Sequence, residues 1–198
     1  MSKPYDARLA CWLVRPLANS GISPNHLTTL RLLTGLWGAA LLAGGSEFLA
    51  GTLMMVLSNF LDHTDGELAR LGGKQSRFGH HYDLLADALV TSLLFIGLGI
   101  GLRAALGDAA VVMGVMSGLS VAGIFHARNV LEASFGKDAT RQPHWLGFEA
   151  EDVLYLLPVV AVTNTLPWFL AAAALGSPLA LGLVLFHARS VRQRSNPR

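Results

Sequence analysis

Charge is scarce in this chain. Only 14% of its 198 residues are Asp, Glu, Lys or Arg, where a soluble domain of this length carries about a quarter. Cysteine is scarcer still: Cys11 stands alone, which excludes an internal disulfide framework and any cysteine-based zinc site. The opening stretch MSKPYDARLACWLVRPLANSG lacks an uninterrupted apolar core, so no cleavable signal peptide is expected there. A net charge of +2 is too small to point to nucleic acid as a partner.

Apolar residues are abundant. They make up 52% of the chain, the mean hydropathy is +0.46, and they gather into runs suited to crossing a bilayer, which takes about 17–25 residues. The expectation is an all-α integral membrane protein, with residues 1–198 forming a single membrane domain.

Residues 5–19 mix apolar Leu9, Trp12 and Leu13 with Asp6, Arg8 and Arg15, the pattern of an amphipathic helix lying in the membrane interface. Gly21 to Asn25 breaks the chain, with Asn25 a candidate cap for the next helix. Six spans are then expected between 27 and 188: 27–42, which holds Arg31 near its start, then 48–61, 83–102, 109–130, 153–162 and 168–187. Pro158 interrupts the fifth. Six spans put both termini and the 62–82 and 128–152 connections on one side, along with fourteen of the fifteen Lys and Arg residues; Arg103 alone falls on the other. The positive-inside rule makes the crowded side cytoplasmic, as in a bacterial or archaeal inner or plasma membrane.

The informative stretch is DHTDGELARLGGKQSRFGHHYDLLAD, residues 62–87. Asp62, Asp65 and Ala69 share one helix face, and Gly79, Asp83 and Asp87 share another. Leu71 to Ser76 suits a reversal between them, so the two faces are expected to meet as an antiparallel pair. Four converging carboxylates repel each other unless positive charge sits among them. Oxygen-only ligands favour Mg²⁺ or Mn²⁺, and four could hold two such ions. Loop acids paired with Arg70, Lys74 and Arg77 would be a blander explanation, but Asp87 lies a turn deeper with no basic neighbour in sequence. An acid-lined cation or proton transporter is the competing reading. Gly66 and Gly79 beside the acids favour a bulky ligand close to the backbone.

DHTDGELAR, eight residues, then GHHYDLLAD resembles the D-x-x-D-G-x-x-A-R-(x)8-G-x-x-x-D-x-x-x-D signature of the CDP-alcohol phosphatidyltransferases, with every fixed position matched. The resemblance implies a six-helix membrane bundle, usually a homodimer. It implies transfer of a phosphatidyl group from a CDP-linked lipid, such as CDP-diacylglycerol, to an acceptor alcohol with release of CMP. It implies metal ligation by Asp62, Asp65, Asp83 and Asp87, with Asp83 shared between two ions and Asp87 the catalytic general base. Donor contacts would come from Asp62, Asp65, Gly66, Ala69, Arg70, Gly79 and Asp83, with Arg70 either touching the site or bracing the acids.

The acceptor is less legible. FHARN at 125–129 and FHARS at 186–190 echo each other, and in the inositol-phosphate-using members basic residues near these places bind the acceptor's phosphate. His126, Arg128, His187 and Arg189 are therefore expected to border one cavity, with Arg128, Arg189 and His126 the acceptor candidates; anchoring helix ends at headgroups would explain them equally well. Many phosphatidylglycerophosphate and inositol-phosphate synthases carry Lys or Arg directly after the last aspartate, where this chain has Ala88. His80 and His81 precede Asp83 but point different ways on a helix. Glu149, Glu151 and Asp152 would cap the fifth span or attract an amino-alcohol or serine acceptor.

Overall fold

The computed structural model describes the backbone of residues 5–136 and 150–195, and side chains within 10–136 and 153–192. Glu149, Glu151 and Asp152 therefore lie outside the described side chains. The described residues form α1 (Tyr5–Val14), a 3-10 turn (Arg15–Leu17), α2 (Pro24–Gly44), α3 (Phe48–Leu71), α4 (Arg77–Gly101), the short α5 (Arg103–Leu106), α6 (Asp108–Phe135), a 3-10 segment (Ala150–Leu156), α7 (Leu157–Val162) and α8 (Leu166–Ser195). No strand occurs among them.

Local chemistry sets the boundaries. Ser23, not Asn25, caps α2: its side chain accepts from the Asn25 backbone N–H, and Pro24 takes the first helical position, where its missing N–H costs nothing. Gly45 closes α2 in the left-handed conformation at φ +75, which glycine adopts without strain. The reversal expected at 71–76 is present: α3 ends at Leu71, and Ser76 caps α4 by accepting from Gly79 N–H at 2.9 Å.

Among the described residues four helices are long and apolar enough to cross a membrane: α2, α4, α6 and α8 up to Arg192. α3 continues past the expected end at 61 and carries the acidic stretch in its last turns. Among the described residues the fifth expected span is the shorter apolar helical segment Val153–Val162, which joins the end of the 3-10 segment to α7. Pro158 sits in the first turn of α7, where the 3-10 segment gives way to α-helix.

The molecule wears its apolar residues outside. Leu175, Leu179, Leu183 and Phe186 line up along α8, each 70% exposed or more. A stripe of that size facing water would drive aggregation; facing acyl chains, it is solvated. The interior is tight. A Cβ added at Gly97 would lie 2.5 Å from the Ala39 carbonyl oxygen, and one at Gly114 the same distance from that of Phe95. Glycine thus sets how closely α4 approaches α2 and α6.

α2 occupies the place that decides the site. Among the described residues α3 and α4 each pack against α2, and the acidic faces expected to meet do so where Asp62, Asp83 and Asp87 come together. Helical periodicity tells which side chains share a face, not which helix meets that face. At Gly35 of α2 an added Cβ would lie 2.6–2.7 Å from the Val90 methyls of α4 and 2.9 Å from Ser58 Oγ of α3. The three backbones converge there, one turn beyond Arg31.

Candidate active site

The ends of α2, α3 and α4 enclose a polar cluster inside an apolar molecule. Asp62 and Asp65 come from α3, and Asp83 and Asp87 from α4. Asp62, Asp83 and Asp87 each present a carboxylate oxygen such that all three oxygens lie within 4.8 Å of one another. Asp65 is buried and accepts a hydrogen bond from Thr28 Oγ1 of α2 at 2.7 Å. The four predicted acids therefore do converge, with three in one group and the fourth turned toward α2.

Arg31 holds the group together, and sequence reasoning missed it. Its side chain is 3% exposed. One terminal nitrogen, Nη1, donates to Asp83 at 2.7 Å and to Asp62, while Nη2 donates to Asp87. Such charge-assisted bonds offset repulsion among the acids, and removing the cation would leave buried charge uncompensated. Position 88 is alanine, so the cation beside Asp87 comes from another helix. The available signal was the need itself, since four acids called for positive charge and Arg31 is the one basic residue within the first apolar run.

The basic residues near the motif do other work. Arg70 is 60% exposed, donates to the Gly66 carbonyl at 3.2 Å and pairs with Glu67 at 3.3 Å. It thus braces a buried glutamate that sequence reasoning did not single out, rather than one of the four aspartates. Lys74 Nζ donates to the carbonyls of Ser20 and Ile22 at 2.7 and 2.9 Å, tying the turn after α3 to the loop before α2. The blander pairing of Asp62 and Asp65 with Arg70, Lys74 and Arg77 is not what the fold uses.

A cavity of about 590 Å³ opens beside the cluster. Asp65, Gly66, Ala69 and Arg70 line it from α3, and Arg77, Gly79, His80 and Asp83 from α4. Pro24, Asn25 and Thr28 line it from α2, and Glu132 from α6. An added Cβ at Gly79 would lie 2.9 Å from Asn25 Oδ1, so the Asn25 side chain would have to shift to admit one. A second cavity of about 20 Å³, the size of one water, lies between Arg31, Ser58, Asn59, Asp87 and Thr91, and Asn59 Nδ2 is buried beside it with no hydrogen-bond partner.

The acceptor candidates are not gathered in the same way. His126, Arg128, His187 and Arg189 are all absent from the lining of the larger cavity among the described residues. His126, His187 and Arg189 are exposed and Arg128 is half-buried. Glu132, one turn beyond Arg128, is the residue through which α6 reaches the cavity. His80 lines it while His81 points elsewhere, with their rings 5.7 Å apart.

The donor set fits a divalent ion. Three carboxylate oxygens within one small group suit a hard cation that takes oxygen ligands, and a guanidinium buried among them shows that the position favours positive charge.

A family model described as CDP-alcohol phosphatidyltransferase matches residues 21–187. The chain belongs to this family. That membership sets aside the transporter reading. Among its relatives, the archaetidylinositol phosphate synthase of Pyrococcus horikoshii is 37% identical over 87 residues, covering 44% of this chain and 46% of that protein. The bifunctional IPC transferase and DIPP synthase of Rubrobacter xylanophilus is 33% identical over 129 residues, or 63% of this chain and 28% of that protein. The chain thus spans less than half the length of these curated relatives. In fold it is similar to the crystal structure of Mycobacterium tuberculosis phosphatidylinositol phosphate synthase with CDP-DAG bound, at a TM-score of 0.66 and 22% identity over 92% of this chain and 91% of that one.

Proposed function

We propose that this protein is a membrane-embedded phosphotransferase that moves a phosphatidyl-type group from a CDP-linked lipid, such as CDP-diacylglycerol, to a phosphorylated polyol, with inositol phosphate the first candidate and glycerol phosphate the second. The observation that carries the reading is the family signature, intact in sequence and folded into one acid cluster around the buried Arg31, beside a cavity of about 590 Å³. The relatives' names, which include inositol phosphate synthases, support the choice of acceptor.

The chemistry is a displacement at the lipid-bearing phosphorus. The acceptor hydroxyl oxygen forms the new P–O bond, the bond from that phosphorus to the bridging oxygen breaks, and CMP leaves with the electron pair. Asp87 takes the hydroxyl proton as general base. Asp62, Asp65 and Asp83 would hold Mg²⁺ or Mn²⁺, with Asp83 shared between two ions and Asp87 completing the second. Divalent ions bound there would supply charge neutralisation on the pyrophosphate as it splits. Gly66, Ala69 and Gly79 leave room for the nucleotide, and Arg70 and Arg77 at the cavity wall offer positive charge to its phosphates. Arg128, with His126 and Arg189, is assigned to the acceptor's phosphate.

The reading places the active site at the cytoplasmic face, with α1 in the interface and Trp12, 72% exposed, at headgroup level. α3 and the Val153–Val162 segment complete six passes in one membrane domain, and the working unit is a homodimer. The test is CMP release by purified protein in detergent with CDP-diacylglycerol and Mn²⁺, offered inositol 1-phosphate, glycerol 3-phosphate, inositol, serine, ethanolamine and choline in turn. Release with a phosphorylated polyol is the expected result. Release with serine or an amino alcohol alone would move the acceptor assignment away from Arg128 and Arg189.

A further inference from the structure

Arg31 and a divalent ion draw on the same three carboxylates. The guanidinium donates to Asp62, Asp83 and Asp87, and those are the three residues whose carboxylate oxygens lie within 4.8 Å of one another. A charge-assisted N–H···O bond runs at about 2.7–2.9 Å and a Mg²⁺–oxygen bond at about 2.0–2.1 Å. Both draw on the same three carboxylates, so a guanidinium seated on one oxygen of each competes with an ion that all three would bind. We propose that Arg31 is a resident counter-cation occupying the divalent-ion position, and that it must release Asp62, Asp83 and Asp87 for the ion to bind. The proposal rests on the reading of these aspartates as metal ligands.

The surroundings say which part moves. Ser58 Oγ donates to the Arg31 carbonyl at 2.9 Å, and α2 is seated against α3 and α4 at Gly35 with no space for a Cβ. The helix therefore stays and the side chain swings. Asp65 stands outside the Arg31 contacts, bonded to Thr28 and lining the larger cavity. It is the carboxylate that an arriving ion meets while Arg31 is still in place. Arg31 thus keeps the cluster assembled in the ion-free protein, and it weakens the hold on the ion by competing with it.

The test is Mn²⁺ binding in detergent, read from the free-ion paramagnetic resonance signal, alongside thermal unfolding with EDTA or Mn²⁺. Arg31→Met keeps much of the side-chain length without the charge, and Arg31→Lys keeps the charge without the fork. Relative to wild type, Arg31→Met is expected to bind Mn²⁺ on the order of tenfold more tightly, as removal of a unit charge next to a divalent ion implies. It is also expected to unfold at a lower temperature in EDTA and to gain more from Mn²⁺, with Arg31→Lys intermediate in each. Equal or weaker Mn²⁺ binding by folded Arg31→Met would overturn the proposal alone. Should Arg31→Met not fold, Arg31→Lys decides: tighter binding than wild type supports the proposal, and equal or weaker binding overturns it. Binding by neither wild type nor variants would overturn the metal reading of the aspartates, and the proposal with it.

Discussion

Where α2, α3 and α4 converge, Arg31, Thr28 and four aspartates are interlocked across three helices and mostly removed from solvent. Toward the ends of α6 and α8, the echoed FHAR segments leave His126, His187 and Arg189 facing outward, and neither pair reaches the larger cavity. The first region is a built constellation, while the second is a set of residues of suitable chemistry without a shared site among the described residues. The difference matches what each half of the proposed reaction needs. The donor half must hold a pyrophosphate and its counter-ions in fixed geometry, which requires buried, mutually satisfied groups. The acceptor half need only admit a soluble polyol phosphate from the aqueous side, and exposed cations at a helix end serve that purpose.

That contrast can be broken most sharply at Asp87. Asp87→Asn keeps the shape of the side chain and removes the base, and kcat is expected to fall about 10²–10⁴-fold with CDP-diacylglycerol binding retained; full activity would remove the general-base assignment. Next in size is Gly35→Val. Added atoms have no room against Val90 and Ser58, so a loss of about 1–3 kcal/mol is expected, measured as a lowered unfolding temperature in detergent. Gly21→Ala, where an added Cβ meets nothing within 4 Å, should leave it unchanged.

On the acceptor side, Arg128→Ala is expected to raise KM for the phosphorylated acceptor about tenfold, the worth of one charge-assisted hydrogen bond, without changing KM for the donor. An unchanged acceptor KM would return Arg128 to the role of helix-end anchor. The smallest effect is expected at Arg70, whose pairing with Glu67 is 60% exposed on the arginine side. Arg70→Ala should cost stability no more than about 1 kcal/mol, so a raised KM for the donor in the folded variant would report its contact with the donor's phosphates, and an unchanged KM would leave it only bracing α3.

The motif was legible because its information is local. Spacings of three and four residues fix which side chains share a helix face, so the convergence of Asp62, Asp65, Asp83 and Asp87 follows from the chain itself once the turn at 71–76 is recognised. Arg31 was illegible because its partners lie 31, 52 and 56 residues away, and an arginine near the start of an apolar run reads equally well as a headgroup anchor. The place of α2 belongs to the same class: nothing periodic in α3 or α4 says that both pack against a third helix. Ser23 as the cap was within reach, since Pro immediately after it marks the first helical position.

The central claim is that these aspartates act through a divalent ion on a CDP-linked lipid. Its most direct test is CMP release from CDP-diacylglycerol and inositol 1-phosphate by the purified protein, first in EDTA and then with Mn²⁺ added back. The account predicts no release in EDTA, release on adding Mn²⁺, and none in either condition for Asp83→Asn. Equal release with and without the ion, or full activity in Asp83→Asn, would contradict it.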